Sequence, residues 1–364
     1  MSIGYNTRHQ PLDSERETTT AMKIDLRVPP CKPATETAKF IKECEEAGFA
    51  GVGLLDSQLL ERDVFVSMAV AIQATSKIRI ASAVTNPVTR HVSVLASAIK
   101  SVAELAPGRT EFWIGRGYSS VQTIGIKPAS VKQMRESVLT LKRLLAGEEV
   151  NFDGAISRMR HGDADVPPIY ISATGPRAIE VAGEVADGAV LQIGLHPKAV
   201  ELARQHLEVG AKRAGRNPDD VELILTATTI IHDDQQEARE MARPLCVQRL
   251  MEEYHAKWLR ATDMEIGELN IPKELWDLYP DVVHAEDWEK AKRLCAFLPN
   301  DMLADLCDTI GFIGTPEHCA QQIKKAERAG IDHLYLMTGA TYEFAHRELQ
   351  AFRDEIFPAL GVAV

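Results

Sequence analysis

The chain has 364 residues, 26% charged and 45% hydrophobic, with a formal net charge of −11. That length and apolar content support a large core, and an acidic balance without a basic tract excludes non-specific binding to nucleic acid or an anionic membrane. Six cysteines (Cys31, Cys44, Cys246, Cys295, Cys307 and Cys319) are scattered with no CxxC pair, the pattern of reduced cytoplasmic thiols rather than of a disulfide framework or zinc site. Residues 1–22 are polar, lack an apolar signal core and read as an arm. No apolar run approaches membrane-spanning length, so a cytoplasmic protein is expected.

Beyond the arm, short apolar strands alternate with amphipathic helices. "KIDLRV" reads as a strand and "PATETAKFIKECEEAG" as a helix with Ala38, Ile41, Cys44 and Ala47 on one stripe. Strand "AGVGLLD", helix "RDVFVSMAVAIQATS", strand "KIRIASAVT", helix "HVSVLASAIKSVAELA" and strand "TEFWIG" follow. Helix "SVKQMRESVLTLKRLLAG" ends at Gly147, a residue suited to the left-handed position past a helix end. A loop over about 148–166 leads to strand "PPIYISA", helix "PRAIEVAGEVA", strand "DGAVLQI", helix "HPKAVELARQHLEVGAKRAG" and a seventh strand, "DVELILTATTII". There the rhythm breaks. Helical pieces and Pro/Asp/Trp-rich connections occupy an insertion over about 250–310, before helix "GTPEHCAQQIKKAERAG", strand "HLYLMTG" and a last helix restore the pattern.

Strand–helix repetition implies parallel pairing through right-handed crossovers, and an eightfold repeat closes most economically as a (β/α)8 TIM barrel over 23–358. An open doubly wound sheet is the alternative. In such barrels the chemistry lies at the C-terminal strand ends, so the residues after each strand become candidates. They are Asp56, Ser57 and Gln58, then "TNPVTRH" from Thr85 to His91, then "GRGYSS", and then "SATGPRA" from Ser172 to Ala178. Arg116 stands between two glycines at the end of an apolar strand, and its planar fork suits a phosphate. Ser172 or Thr174 is placed to cap the helix that Pro176 starts, whose N-terminus favours an anion. The competing reading pairs Arg116 with a rim carboxylate. Neither "GRGYSS" nor "GVGLLD" is a dinucleotide fingerprint, and His91, His196 and His333 form no ligand cluster in sequence, so no metal is expected.

Three motifs in this order, "SAVTNPVTRH", "IGRGYSSVQTIGIKPAS" and "VPPIYISATGPRAIEVAGEVADGAVLQ", resemble the bacterial luciferase-like superfamily. That superfamily holds flavin-dependent monooxygenases and enzymes of the deazaflavin coenzyme F-420, among them methylenetetrahydromethanopterin reductase. The resemblance implies a tricyclic cofactor at the strand C-termini, supported by a bulge with a non-prolyl cis peptide at Ala83-Val84 or at its neighbour Ser82-Ala83. It sets Thr85 and Asn86 along the polar edge of the ring. It assigns the cofactor phosphate to Arg116 and Gly117, completed by Ser172, Thr174, Gly175, Pro176 and Arg177, with Tyr118 stacked on or bonded to the cofactor.

Because several deazaflavin enzymes of the family carry an acidic or small residue where Arg116 stands, the resemblance favours reduced FMN. It implies a two-component monooxygenase that uses O2 on a small organic substrate, takes its flavin from a separate flavin reductase and associates as a homodimer. Asp56 or His91 would handle protons; His91 reads equally well as a helix-terminus hydrogen bonder. The alternatives are a coenzyme F-420-dependent reductase or dehydrogenase that transfers hydride without oxygen, and a flavin-binding protein without turnover. The aromatics of the insertion (Trp258, Trp276 and Trp288) look exposed and suit a pocket or a dimer seam.

Overall fold

Parallel strand pairing organises the computed structural model, which describes residues 22–362 apart from 263, 265, 267, 268, 280, 340 and 341. The arm predicted at the N-terminus, other than Met22, lies outside the described residues. The first half runs β1 (Lys23–Val28), α1 (Ala34–Glu46), β2 (Gly51–Leu54), α2 (Val64–Ala74), β3 (Arg79–Thr85), α3 (Val92–Leu105), β4 (Thr110–Ile114), α4 (Ser119–Gln122) and α5 (Val131–Leu145). Next come β5 (Val150–Phe152), β6 (Ala155–Ser157), β7 (Ile169–Ala173), α6 (Pro176–Val185), β8 (Gly188–Leu191), α7 (Pro197–Arg213) and β9 (Glu222–Ile231). After β9 follow α8 (Gln235–Met251), α9 (Glu253–Arg260), α10 (Trp288–Leu294), α11 (Asn300–Ile310), β10 (Gly311–Gly314), α12 (Pro316–Arg328) and β11 (His333–Thr338). A last helix joins α13 (His346–Ala351) to α14 (Phe357–Leu360) through a π-helical turn.

The strands pair in the order β10-β9-β11-β1-β2-β3-β4-β7-β8, and β8 also pairs with β9, so all but β10 close an eight-stranded parallel barrel. The predicted barrel is therefore the observed fold. Two elements were not predicted. The stretch 148–166 carries the β5–β6 hairpin, an antiparallel pair whose second strand is exposed throughout and gives no apolar signal. β10 pairs only with the upper half of β9, from Thr228 to Ile231, where β8 has already ended. β9 is long enough to serve both neighbours.

Helix starts follow local chemistry. Asp63 accepts from the N–H groups of Phe65 and Val66 to cap α2, and Ser130 with Gln133 forms a reciprocal capping box on α5. The helices bury Phe40, Ile41, Met68, Ile99, Val138 and Leu141 against the outer strand faces. The insertion packs a core of its own around Cys246, Leu275, Leu298, Leu306 and Cys307, with the two thiols 3.8 Å apart.

Inside the barrel lie Ala81, Ala83, Trp113, Tyr170, Val190, Ile224 and Tyr335. A charged layer lies beside them. Arg79 donates to Glu111 at 2.5 Å and to Asp25 at 2.8 Å. His333, 1% exposed, bonds Asp25 through Nε2 and Glu222 through Nδ1, each at 2.9 Å. Lys23 and the Tyr170 hydroxyl also donate to Glu222. The glycines of "GVGL" make room for this layer. A Cβ on Gly51 would sit 2.7 Å from Asp25 Oδ1, and one on Gly53 2.7 Å from the Tyr335 ring.

Burial lowers the His333 pKa, but the Asp25 charge and the bonds to Asp25 and Glu222 outweigh it and raise it to about 9. The imidazolium thus stabilises the fold fully below its ordinary pKa of about 6.5, and that contribution, on the order of 3 kcal/mol, is lost as pH rises through about 9. Thermal unfolding from pH 6 to 10 should show the melting temperature falling across that window. In His333→Gln the protein should be less stable at pH 6 and its curve nearly flat there; an unchanged slope refutes the assignment.

Candidate active site

The C-terminal tip of β3 is irregular. The β3–β4 register shifts between Ser82 and Thr85, and the Ala83-Val84 peptide is cis, the first of the two positions the resemblance implies. Backbone packs closely here. A Cβ on Gly115 would lie 2.8 Å from Val84 Cγ2, and Gly117, at φ +87°, admits no side chain because Val121 stands 2.8 Å from its Cβ position. Thr85 and Asn86 are both buried at this tip. Asn86 turns its carboxamide oxygen onto the N–H groups of Val88 and Thr89 and donates to Ser120 Oγ at 3.2 Å, so its side chain builds the loop.

Both predicted proton handlers are engaged elsewhere. Asp56 is buried, accepts from Thr85 Oγ1 at 2.7 Å and Gln58 Nε2 at 3.0 Å, and forms an ion pair with Arg90 at 2.5 Å. Arg90 also pairs with Asp63 and lies over the Phe65 ring. The Asp56 carboxylate is thereby held in the loop framework by Thr85, Gln58 and Arg90. His91 is exposed and caps α3 by accepting from the N–H of Ser93, the helix-terminus role that the sequence also allowed.

Arg116 is exposed at the β4 tip, and its Nε donates to Ala129 O at 2.5 Å. Among the described residues no carboxylate pairs with it, contrary to the rim ion-pair reading. Ser172, Thr174, Gly175 and Pro176 lie half-buried at the β7 tip, beside exposed Arg177. Neither Ser172 nor Thr174 caps α6: Gly175 is its N-cap, with no side-chain hydrogen bond, and nothing stands within 4 Å of where a Gly175 Cβ would be. The helix N-terminus keeps its field for an outside anion.

The insertion grips the same tips. Trp258, buried rather than exposed, donates from Nε1 to Thr174 O at 2.7 Å. Tyr118 donates its hydroxyl to Glu252 Oε1 at 2.9 Å, which ties the β4 tip to the insertion and leaves its ring exposed. Tyr254 and Gln248 also donate to Glu252. Burial lowers the Arg249 guanidinium to about 10, and burial with the Arg249 charge lowers His255 to about 2, so that imidazole is neutral. Trp276 is exposed and Trp288 half-buried against the core of the insertion.

Sequence reading missed Arg27 and Glu61. Arg27, buried at the end of β1, donates from Nη1 to Thr338 O at 2.8 Å. Burial pushes the Glu61 carboxyl up to about 7 against the pull of Arg27 and Arg62. A charged residue among "IDLRV" was the available signal for Arg27; Glu61, in the polar stretch "SQLLERD", had none. A separate cleft of about 320 Å³, lined by His196, Asp305, Phe312 and Lys325, lies away from these tips.

Irregular β3 backbone, glycines against β4, an uncapped α6 N-terminus and an arginine without a carboxylate fit a planar cofactor carrying a phosphate. The family model and the relatives make this barrel an oxidoreductase. The chain belongs to the luciferase-like monooxygenase family, whose model matches residues 4–333. It is 33% identical over 229 residues to 5,10-methylenetetrahydromethanopterin reductase of Methanolobus tindarius, covering 61% of this chain and 69% of that protein. To the Archaeoglobus fulgidus reductase of the same name it is 26% identical over 347 residues, 93% of this chain and 100% of that one. The solved coenzyme F-420-dependent tetrahydromethanopterin reductase of Methanopyrus kandleri shares the fold with a TM-score of 0.69 at 19% identity, covering 93% of this chain and 99% of that one. Among the described residues no cluster of metal-ligating side chains is present, and no helix is long and apolar enough to cross a membrane.

If Asp56 chiefly neutralises Arg90, Asp56→Ala should cost roughly 3 kcal/mol in urea unfolding, because it strips a partner from a mostly buried cation. Unchanged stability would return Asp56 to the list of proton handlers.

Proposed function

We propose that this chain is a coenzyme F-420-dependent oxidoreductase that moves hydride between the deazaflavin and a small organic substrate, with a methylene-bearing tetrahydropterin as first candidate. The observation that carries this reading is the match along the full length of the Archaeoglobus fulgidus reductase. Reduced deazaflavin, when bound, supplies the hydride.

The protein's own part is binding, orientation and exclusion of water. Arg116 and the open N-terminus of α6 hold the phosphate; Gly117 keeps the chain close enough for its backbone to take part. The bulge at Ala83 and Val84 backs the ring, and Thr85 and Asn86, fixed by Asp56 and Ser120, hold that backbone in one shape. Helix α9, tied to the β7 tip through Trp258, shields this side of the site from water.

The second reading is reduced FMN with O2 and a separate flavin reductase. Arg116 favours it, as does the description of the family itself. The relatives support the deazaflavin better.

Anaerobic titration of the full chain with F-420 and with FMN, each oxidised and reduced, discriminates the two. The deazaflavin should bind at micromolar concentration and at least about tenfold tighter than FMN, a difference of about 1.4 kcal/mol. Arg116→Ala should weaken it by a similar factor. Tighter FMN binding would make oxygen-dependent oxidation the better reading, and an Arg116→Ala variant with full affinity would remove Arg116 from the phosphate site.

A further inference from the structure

The tips of β2 and β11, the two neighbours of β1, hold polar atoms that the fold leaves unsatisfied. Gln58 Oε1, Glu61 Oε2 and Thr338 Oγ1 are buried without a hydrogen-bond partner. The Gln58 amide is oriented by its donation to Asp56 Oδ1, which leaves the carbonyl oxygen over. The Glu61 turn is fixed from both sides: its own N–H donates to Ser57 O at 2.9 Å, and the Arg62 N–H reaches Pro30 O, beside the end of β1, at 3.2 Å. The Arg27 bond to Thr338 O joins β1 to β11 at the same place. Buried oxygens without partners are rare in folded chains, and three of them at one mouth are acceptors that a polar ligand can complete.

We propose that Glu61 is the proton-transferring group of the hydride reaction, acting on a substrate whose reacting carbon is bonded to nitrogen or oxygen; this rests on the deazaflavin reading above. In the reducing direction the carbon of a C=N or C=O bond accepts the hydride of the reduced deazaflavin. The π electron pair moves to the heteroatom, which takes the Glu61 proton as the O–H bond breaks; where the carbon is instead a methylene held between two nitrogens, one C–N single bond breaks, its electron pair stays on the departing nitrogen, that nitrogen takes the Glu61 proton, and the carbon takes the hydride. One C–H and one N–H or O–H bond form, the deazaflavin is oxidised by two electrons, and a carboxylate remains. In the oxidising direction that carboxylate takes the proton back. Gln58 Oε1 and Thr338 Oγ1 accept from donors on the substrate, which favours a nitrogen-rich or hydroxylated compound over an alkane.

The groups that govern the Glu61 charge come from every element around it: Arg27 on β1, Cys31 after β1, Arg62 in the same turn and Tyr342 after β11. Burial favours the neutral acid and the two guanidinium groups favour the carboxylate. Both forms are then available near neutral pH, as a group that gives and regains a proton requires.

The test compares the full-length wild type with Glu61→Gln. Infrared difference spectra of each, with F-420 bound, should show a carboxyl band in the wild type that disappears with a midpoint near pH 7 and is missing from the variant. With reduced F-420 and methylenetetrahydromethanopterin or acetone as probes, kcat should fall by about 10²-fold or more in the variant while F-420 affinity stays within about twofold. Glu61→Asp should recover part of the rate with a displaced pH profile. A wild type that binds F-420 and shows the band but reduces neither probe, or that fails to bind F-420, counts against the proposed function. A Glu61 carboxyl already ionised at pH 5, or a variant with the wild-type rate and pH profile, overturns the role of Glu61.

Discussion

Arg79, held between Asp25 and Glu111 inside the barrel, is the contact on which the rest of the structure depends. A closed parallel barrel must fill its interior, and charges placed there must balance, because an unpaired buried ion costs several kcal/mol. Arg79, His333 and Lys23 answer Asp25, Glu111 and Glu222. Trp113 packs edge-on against Tyr335 beside them, its ring centroid 4.9 Å away, and donates to Glu111. The interior is thereby closed and held in register from β1 through β4 and back to β11. The tips at the other end are free to depart from regular pairing, as β3 does.

Those tips fall into two groups. Contacts from the insertion land on β4, through Tyr118, and on β7, through Thr174, which are neighbours in the barrel, and also reach the loop after β11, where the Tyr342 hydroxyl donates to His284 O. The unsatisfied oxygens lie on β2 and β11, neighbours of β1 on the other side of β3. The irregular β3 tip stands between them in the strand order. An anion held on the β4–β7 side and a reacting group held on the β11–β1–β2 side would meet over the β3 bulge. Division of labour around one mouth is what a planar cofactor needs: one end fixed by charge, one face left to the substrate.

The barrel was legible because its outward strand faces and helix stripes obey apolar periodicity; "KIDLRV" matches β1 residue for residue. The β3 irregularity was legible only through the family resemblance. What periodicity cannot show is where a charged side chain goes once its strand is rolled into a barrel. Asp25, Arg79, Glu111 and His333 are charged or polar residues within apolar strand segments, and together they fill one layer of the barrel interior. Trp258 looked exposed because its helix is short and polar, and it is buried by a hydrogen bond to a backbone carbonyl far away in sequence. Asp56 was correctly placed at a tip, but its charge is neutralised by Arg90, thirty-four residues later, a pairing no local pattern encodes.

The choice between oxygen chemistry and hydride chemistry turns less on Arg116 than on the groups facing the substrate. A phosphate is common to FMN and to the deazaflavin, so an arginine at the phosphate end separates them weakly. A monooxygenase must keep its reactive flavin dry, and lone acceptors in the substrate pocket work against that, since each attracts water. A hydride transfer to a polar bond has the opposite need: the heteroatom beside the new C–H bond must gain a proton, and a half-buried carboxyl that changes charge near neutral pH can supply it. In the role proposed for it, Glu61, with Gln58 and Thr338 beside it, would meet the second need and not the first. This agrees with the full-length relationship to reductases and gives that relationship a physical reason within the chain's own residues.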